Sequence, residues 1–303
     1  MALVRDAFTW VDTGAIAYPA LYNRIIQLTM PALKLKQLLP EFPILQGRTA
    51  TFVKESGSRA AAITQVGEGA EVAMDFTNYT YFTVTPYKVG IRERITRETI
   101  EDLYIPVIES QLARLARRMA YTIDKDVQTV ISNGAANSFS ATGVTIAYTG
   151  TATSSPGTIG VNDITQAKSV IEGYSLIADS FALHPLNAND LTRLPQFASQ
   201  DIFGTSVYKE GLGWETGAVG GVMGLDFYIT PIVPAGEAYV LSTGKNLSAA
   251  YAPLGFFAIK RPLVIDVDFK KEYDSYDVVA TTRYAPVITY GESIVKILGL
   301  RTS

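Results

Sequence analysis

The chain of 303 residues contains no cysteine and a single histidine, His184. Disulfides, thiolate nucleophiles, thiolate-bound metals and histidine clusters are therefore excluded. An excess of one charge sign is also missing: 26 Lys and Arg face 29 Asp and Glu, for a formal net charge of −3. That balance argues against binding nucleic acid through a broadly basic surface, though it permits a protein that encloses nucleic acid. No long apolar run occurs. The greasiest stretch, Ala249–Ile259 (AAYAPLGFFAI), is interrupted by proline and too short to span a bilayer. The opening MALVRDAFTW lacks the apolar core of a signal peptide, so a soluble protein made in a cytoplasm, with no membrane partner, is expected. No alternation of acids fits a calcium loop, and neither a metal nor a cofactor is expected.

With 48% hydrophobic and 18% charged residues, the chain has enough apolar content for one large domain or two interleaved ones. Residues 1–47 read as an arm with short helical pieces, broken at Pro31, Pro40 and Pro43. Thr49–Glu55 reads as a strand and Ser56–Glu71 as a glycine-marked excursion bearing Arg59, Glu68 and Glu71. In the returning strand Val72, Met74 and Phe76, then Phe82 and Val84, alternate with small or polar residues. Beyond Pro86 the phase reverses, and Tyr87, Val89 and Ile91 form the apolar set. A one-residue change of phase turns every side chain to the other face, and proline in a strand is confined to edges, starts and bulges. Pro86 is thus the predicted point where the ribbon passes from one surface to another sheet. Two strands alone are marginally stable in water, so Thr49–Thr85 is expected to need an external surface.

A long amphipathic helix is predicted from Ile105 to Ser132, roughly 40 Å at about 1.5 Å per residue. Ile108, Leu112, Leu115, Met119, Ile123 and Val130 form its core stripe, which Asp126 interrupts, and Gly134 ends it. Residues 135–160 are small, polar and glycine-rich, a loop or weak hairpin. The next part reads as a helix capped by Asn162 or Asp163, a short buried strand DSFALH, and a helix near Asn187–Leu194. A long loop and the strands GLDFYIT and EAYVLS follow. Alternating runs around Ile265–Phe269 and Tyr276–Tyr284 are expected to pair with the strand after Pro86, alongside the long helix.

Candidates for chemistry are weak. His184 lies at a strand end before a proline, with no serine elbow, which suits a structural histidine. STGKNLS (Ser242–Ser248) lacks the upstream glycine and final Ser/Thr of a phosphate loop, and GAVGGVMG does not fit a dinucleotide fingerprint. Asp266 and Asp268 share one strand face, as solvated residues do. Arg114, Arg117 and Arg118 suit a wet helix face better than a phosphate site. No catalytic residue is expected.

The order of pieces is informative. An extended hairpin with VGEGAEV precedes YKVGIRERIT, the capped RETIED and a helix ending DKDVQTVISNG. ITQAKSVIEGYSLIADSFALHPLNANDLTRL, GGVMGLDFYITPIVPAGEAYVLS and DSYDVVATTRYAPVITYGESIVKILGL come later. From about Arg48 onward this order resembles the major capsid proteins of tailed phages with the Hong Kong 97-like fold. The resemblance implies an α+β chain with an N-terminal arm (1–47) and an extended loop (48–85). It further implies a peripheral domain (86–149 and 248–303) and an inserted α/β axial domain (150–247) whose loop around Ala198–Thr216 points to the capsomer centre. Hexamers and pentamers of the chain would close into an icosahedral shell around double-stranded DNA, assembled in a host cytoplasm and found in the virion. Lys54, Glu55, Arg59, Glu68, Glu71, Phe76 and Phe82 are the expected intersubunit residues. A separate scaffolding protein, a portal and decoration proteins are the expected partners if Met1 is the native start. Lys54 is the loop's one lysine, but no matching cross-link partner is found, so covalent cross-linking is not expected. The alternative is an encapsulin-type compartment of the same fold.

Overall fold

The computed structural model describes residues 33–56, 78–98, 107–141, 144–148, 151–155, 157–192, 218–222, 224–244 and 254–301. Arg59, Glu68, Glu71 and Phe76 lie outside these, as does the loop expected around Ala198–Thr216; so do the side chains of Glu55, Ile108 and Leu112.

The fold is mixed α+β, and a long helix, α1 (Val107–Gly134), is its central member. On one side it meets a four-stranded sheet. The strands are β1 (Glu41–Pro43), β4 (Tyr87–Thr96), β12 (Gly255–Lys270) and β13 (Ser275–Ile288), in the order β1-β12-β13-β4. The expected three-way pairing is present, with Glu93 opposite Val278 and Ile265 opposite Ala280. Pro262 is tolerated inside β12 because β1 pairs only with Phe257–Ile259, and the β13 ladder shifts register around Arg261. Gly255 starts β12 at φ +148, where a Cβ would stand 2.0 Å from the Val287 carbonyl oxygen; only glycine fits so close a ladder.

A six-stranded sheet holds β5 (Asn137–Ser140), β8 (Ser180–Leu183), β9 (Ala218–Val222), β10 (Leu225–Ile229), β11 (Glu237–Leu241) and β14 (Ile294–Leu298). Its order is β5-β14-β11-β8-β10-β9. Strands β5 and β14 lie outside 150–247, so this sheet extends beyond the segment expected to form it. The cause is visible in the pairing: VKIL supplies alternating apolar residues to β11 on one side and β5 on the other. Two shorter helices accompany it, α2 (Val161–Glu172) and α3 (Pro185–Thr192). The cap of α2 is Gly160 rather than Asn162 or Asp163; the Asp163 carboxylate accepts the Gly160 N–H at 2.9 Å.

The two faces of this sheet have different partners. Phe181, Leu183, Phe227, Val240, Val295 and Ile297 pack with Ile164, Ala167 and Ile171 of α2. Ala182, Tyr228, Tyr239, Leu241 and Ile294 join the cluster of Leu115, Met119, Ile123, Val127 and Ile131 on α1. That second cluster also takes in Ile95, Phe257, Ile265, Val278, Ala280 and Tyr284 of the four-stranded sheet. One helix therefore fills the space between two sheets, which is why its apolar stripe is broad.

Two hairpins complete the described residues. One pairs β6 (Val144–Tyr148) with β7 (Thr151–Ser155). The other pairs β2 (Ala50–Ser56) with β3 (Asn78–Val84), and it is a separate sheet from the one β4 joins. Thr85 and Pro86 stand between β3 and β4, so the change of sheet falls where the alternation changes phase.

Candidate assembly surface

The β2–β3 hairpin has two unlike faces, because Phe52 pairs opposite Phe82 while Val53 pairs opposite Tyr81. The first face rests on the chain's own body. Phe52 and Phe256 have ring centroids 4.4 Å apart, Phe52 and Phe42 5.1 Å, and Phe52 and Phe82 5.8 Å. Ile44, Val84, Ala258 and Ala285 are buried in the same cluster. Lys54 shares this face, its Nζ 5.9 Å from the centroid of the Tyr290 ring. Phe82 and Lys54, expected on a neighbour, thus have partners within the chain; aromatic packing at the hairpin root supplies the surface two strands need.

The opposite face is bare. Tyr81 is 69% exposed, Tyr79 61% and Val53 54%. Beside the hairpin, Phe82–Thr85, Val130, Asn133, Gly134 and Ala285–Ile288 line a shallow depression of about 470 Å³. The sequence missed the outward tyrosines because Tyr79 and Tyr81 alternate with Thr80 and Phe82, so large rings fall on both faces of β3. Only pairing with β2 shows which set is covered.

Polar groups on α1, of which Asp124 is buried, hold the segments around that helix. Asp124 is fully buried and accepts the backbone N–H groups of Lys34 at 2.7 Å, Leu35 at 3.2 Å and Lys36 at 2.9 Å. Burial pushes its carboxyl upward, against the pull of those donors. Residues 33–43, expected as part of an arm, are hereby docked: Leu33, Leu35, Leu38 and Leu39 enter the core and β1 joins β12. Asp126, the residue that breaks the apolar stripe, accepts the Tyr87 hydroxyl at 2.9 Å and the Tyr284 hydroxyl at 2.7 Å. Both phenols are held well above their ordinary range, by burial first and by the Asp126 carboxylate second. Gln128 donates to the Tyr239 hydroxyl at 3.0 Å, and that hydroxyl donates to Glu237. Lys296 closes the group, 2.8 Å from Glu237 and 2.9 Å from the Ser132 hydroxyl.

On the far face of the four-stranded sheet, Asp277 is 1% exposed and is held by Arg92 and by Arg94 Nε at 2.8 Å. The Arg94 hydrogen bond contributes most to lowering its carboxyl to about 2.

The remaining sequence candidates fall into structural roles. His184 Nδ1 accepts the Leu186 N–H at 3.2 Å, at the start of α3. The STGKNLS segment presents the N–H groups of Thr243 and Gly244 to an internal carboxylate, Asp179, at 2.9 Å each. That is a loop of anion-binding form already satisfied by its own chain. Asp266 and Asp268 are exposed, and Asp268 pairs with Lys270. No group of three or more potential metal ligands occurs among the described residues. None of their helices is long and apolar enough to cross a membrane.

The described residues thus set a helix between two sheets, with an aromatic hairpin packed on the body by one face and exposed on the other. The family described as phage capsid protein matches residues 80–297, and the chain belongs to that family. The fold is similar to a capsid structure of the cyanophage P-SCSP1u, at 13% identity and TM-score 0.64, covering 88% of this chain and 87% of that one. A structure from Mycobacterium phage Che8 aligns at 10% identity and TM-score 0.60, covering 83% and 85%. A virus-like particle from Pyrococcus furiosus aligns at 11% identity and TM-score 0.58, covering 93% and 99%. No curated protein sequence matches the chain significantly.

Proposed function

We propose that this chain is the major shell subunit of a tailed virus. It assembles as hexamers and pentamers into an icosahedral capsid around double-stranded DNA, in the cytoplasm of the host. Family membership supports a structural, non-enzymatic role in a capsid. The observation that carries the assembly reading is the bare Val53, Tyr79 and Tyr81 face on a hairpin whose other face is fixed. An exposed aromatic strand pair on a rigid root finds burial on an adjacent copy.

The extended loop of residues 48–85 bridges neighbours, with Glu55, Arg59, Glu68, Glu71 and Phe76 as contact residues. A scaffolding protein, a portal and decoration proteins are its further partners. Electron microscopy of the chain expressed alone tests the reading: closed shells are expected, and only monomers at high concentration would refute it.

A second reading has one observation in its favour, the 99% coverage of the Pyrococcus furiosus virus-like particle chain. In it the shell is an encapsulin-type compartment. The contents of native particles decide between the two: long protected DNA supports the virus, a stoichiometric enzyme the compartment.

A further inference from the structure

The outward face of α1 is basic between Arg114 and Lys125. Arg114, Arg117, Arg118 and Lys125 are all exposed, and Tyr121, among them, is 53% exposed. At 100° per residue the five fall within one arc of about 100°, opposite the buried Met119, Ile123 and Val127. From Arg114 to Lys125 the arc runs ~16 Å at about 1.5 Å per residue. No exposed acidic residue interrupts it among the described residues. Arg114 and Arg118 approach the carboxylate of Glu93, 8% exposed, in β4 beneath the helix, at 3.1 and 3.4 Å. Both arginines keep more than half of their side-chain surface in solvent, 60% and 62%. Arg117 and Lys125 have no ion-pair partner among the described residues.

We infer that this face of α1 binds the phosphate backbone of the enclosed duplex, and so forms part of the inner wall of the shell. The inference rests on the proposed function for its ligand. Three of the four cations are arginines, whose planar fork matches phosphate oxygens. They stand on a rigid helix, so they are positioned before the ligand arrives. The contact is to backbone charge and carries no sequence preference. The opposite face of the four-stranded sheet is of mixed sign: Asp277 is closed on Arg92 and Arg94, Asp268 on Lys270, and Asp266 is exposed. Although the chain has a net charge of −3, its described residues thus include an uninterrupted cationic strip on α1, on the side away from that sheet.

The test uses the full chain, unassembled, and a fluorescent 30-base-pair duplex in anisotropy titrations at 50 and 200 mM salt. Each lost phosphate contact reduces the slope of log K against log salt by about 0.9. Between the two salts the unsubstituted chain is therefore expected to lose about 12-fold more affinity than an Arg117→Gln/Lys125→Gln variant, which gives up two contacts. These two residues have no packing role, so both chains are expected to assemble equally. An Arg114→Gln/Arg118→Gln variant, with Glu93 changed to Gln alongside, gives a second reading of the same slope.

Equal salt dependence in wild type and variants overturns the inference. So does tighter binding of polyglutamate than of duplex at equal ionic strength, which assigns the strip to an acidic protein. Capture of circular plasmid by intact closed shells through these residues would place the strip outside, and overturns it too. Failure of the wild-type chain to form shells refutes the proposed function without touching the binding result.

Discussion

Replacing Tyr79 and Tyr81 together by threonine removes the bare aromatic face while placing a strand-favouring β-branched residue at each position. A tyrosine buries about 200 Å² when fully covered. At 61% and 69% exposure, the two rings leave roughly 250 Å² open to a neighbour, or about 6 kcal/mol gross at ~25 cal/mol/Å². Side-chain ordering and association consume part of that, so a net loss of about 2–4 kcal/mol per contact is expected, within the range of interface anchors. That is on the order of 10²-fold in the affinity of each contact. In the proposed shell a subunit is held by several neighbours at once, so the losses compound and closed shells should vanish at ordinary concentrations.

The assay is sedimentation with electron microscopy across a concentration series, alongside thermal unfolding of the unassembled chain. The variant should keep its midpoint within a few degrees and fail to close shells. Phe52→Ala should do the reverse first, lowering the midpoint, since its ring lies against Phe42, Phe82 and Phe256. Shells from the double tyrosine variant at wild-type concentrations would refute the reasoning.

Reversing Glu68 and Glu71 to lysine should impair assembly, read by the same sedimentation series, while the circular dichroism of the subunit stays unchanged; normal particles would count against it. Asp126→Ala leaves the buried Tyr284 hydroxyl without its acceptor and should cost about 2–4 kcal/mol in urea unfolding, with Asp126→Asn milder. Asp277 gives a pH signature. Its folded value, about 2, lies below the ordinary 3.8, so its stabilisation is complete above that ordinary value and is lost as pH falls through about 2. Asp277→Asn should therefore flatten the thermal midpoint between pH 4 and 2, and an unchanged slope would remove the group from that role.

The change of sheet at Pro86, the long helix and the β4–β13–β12 pairing were legible because each rests on periodicity, which burial writes directly into sequence. What was not legible depends on pairing at a distance. Phe82 looked like a contact for a neighbour because nothing near it in sequence offers a surface; Phe256, 174 positions later, does. Strands β5 and β14 flank the six-stranded sheet from outside its main segment, and no local pattern reveals which sheet a four- or five-residue strand joins. Asp126 looked like a defect in a stripe. Its two hydroxyl donors sit on β4 and β13, so its role is visible only once both strands are in place.

The polar residues of α1 explain why that helix ties residues 34–36 and the two large sheets into one unit. Asp124 holds residues 34–36, Asp126 the four-stranded sheet, Gln128 the Tyr239 hydroxyl of the six-stranded sheet, and Ser132 the amine of Lys296. Within ten residues one rigid rod holds residues 34–36 and both large sheets. Apolar packing alone would let the layers slide, because hydrophobic contact has no direction. A buried carboxylate with fixed donors does not slide, since leaving it unpartnered costs several kcal/mol. The hairpin root packs on β12, which β13 ties to Asp126 through Tyr284, so a load applied at Tyr79 and Tyr81 reaches α1 through covalent strands and short hydrogen bonds. Cutting that route at Asp126 while sparing the tyrosine face should give subunits that still associate but close into shells of irregular size, visible as a broadened particle distribution. A variant whose shells are as uniform as wild type would show that the tether sets stability alone.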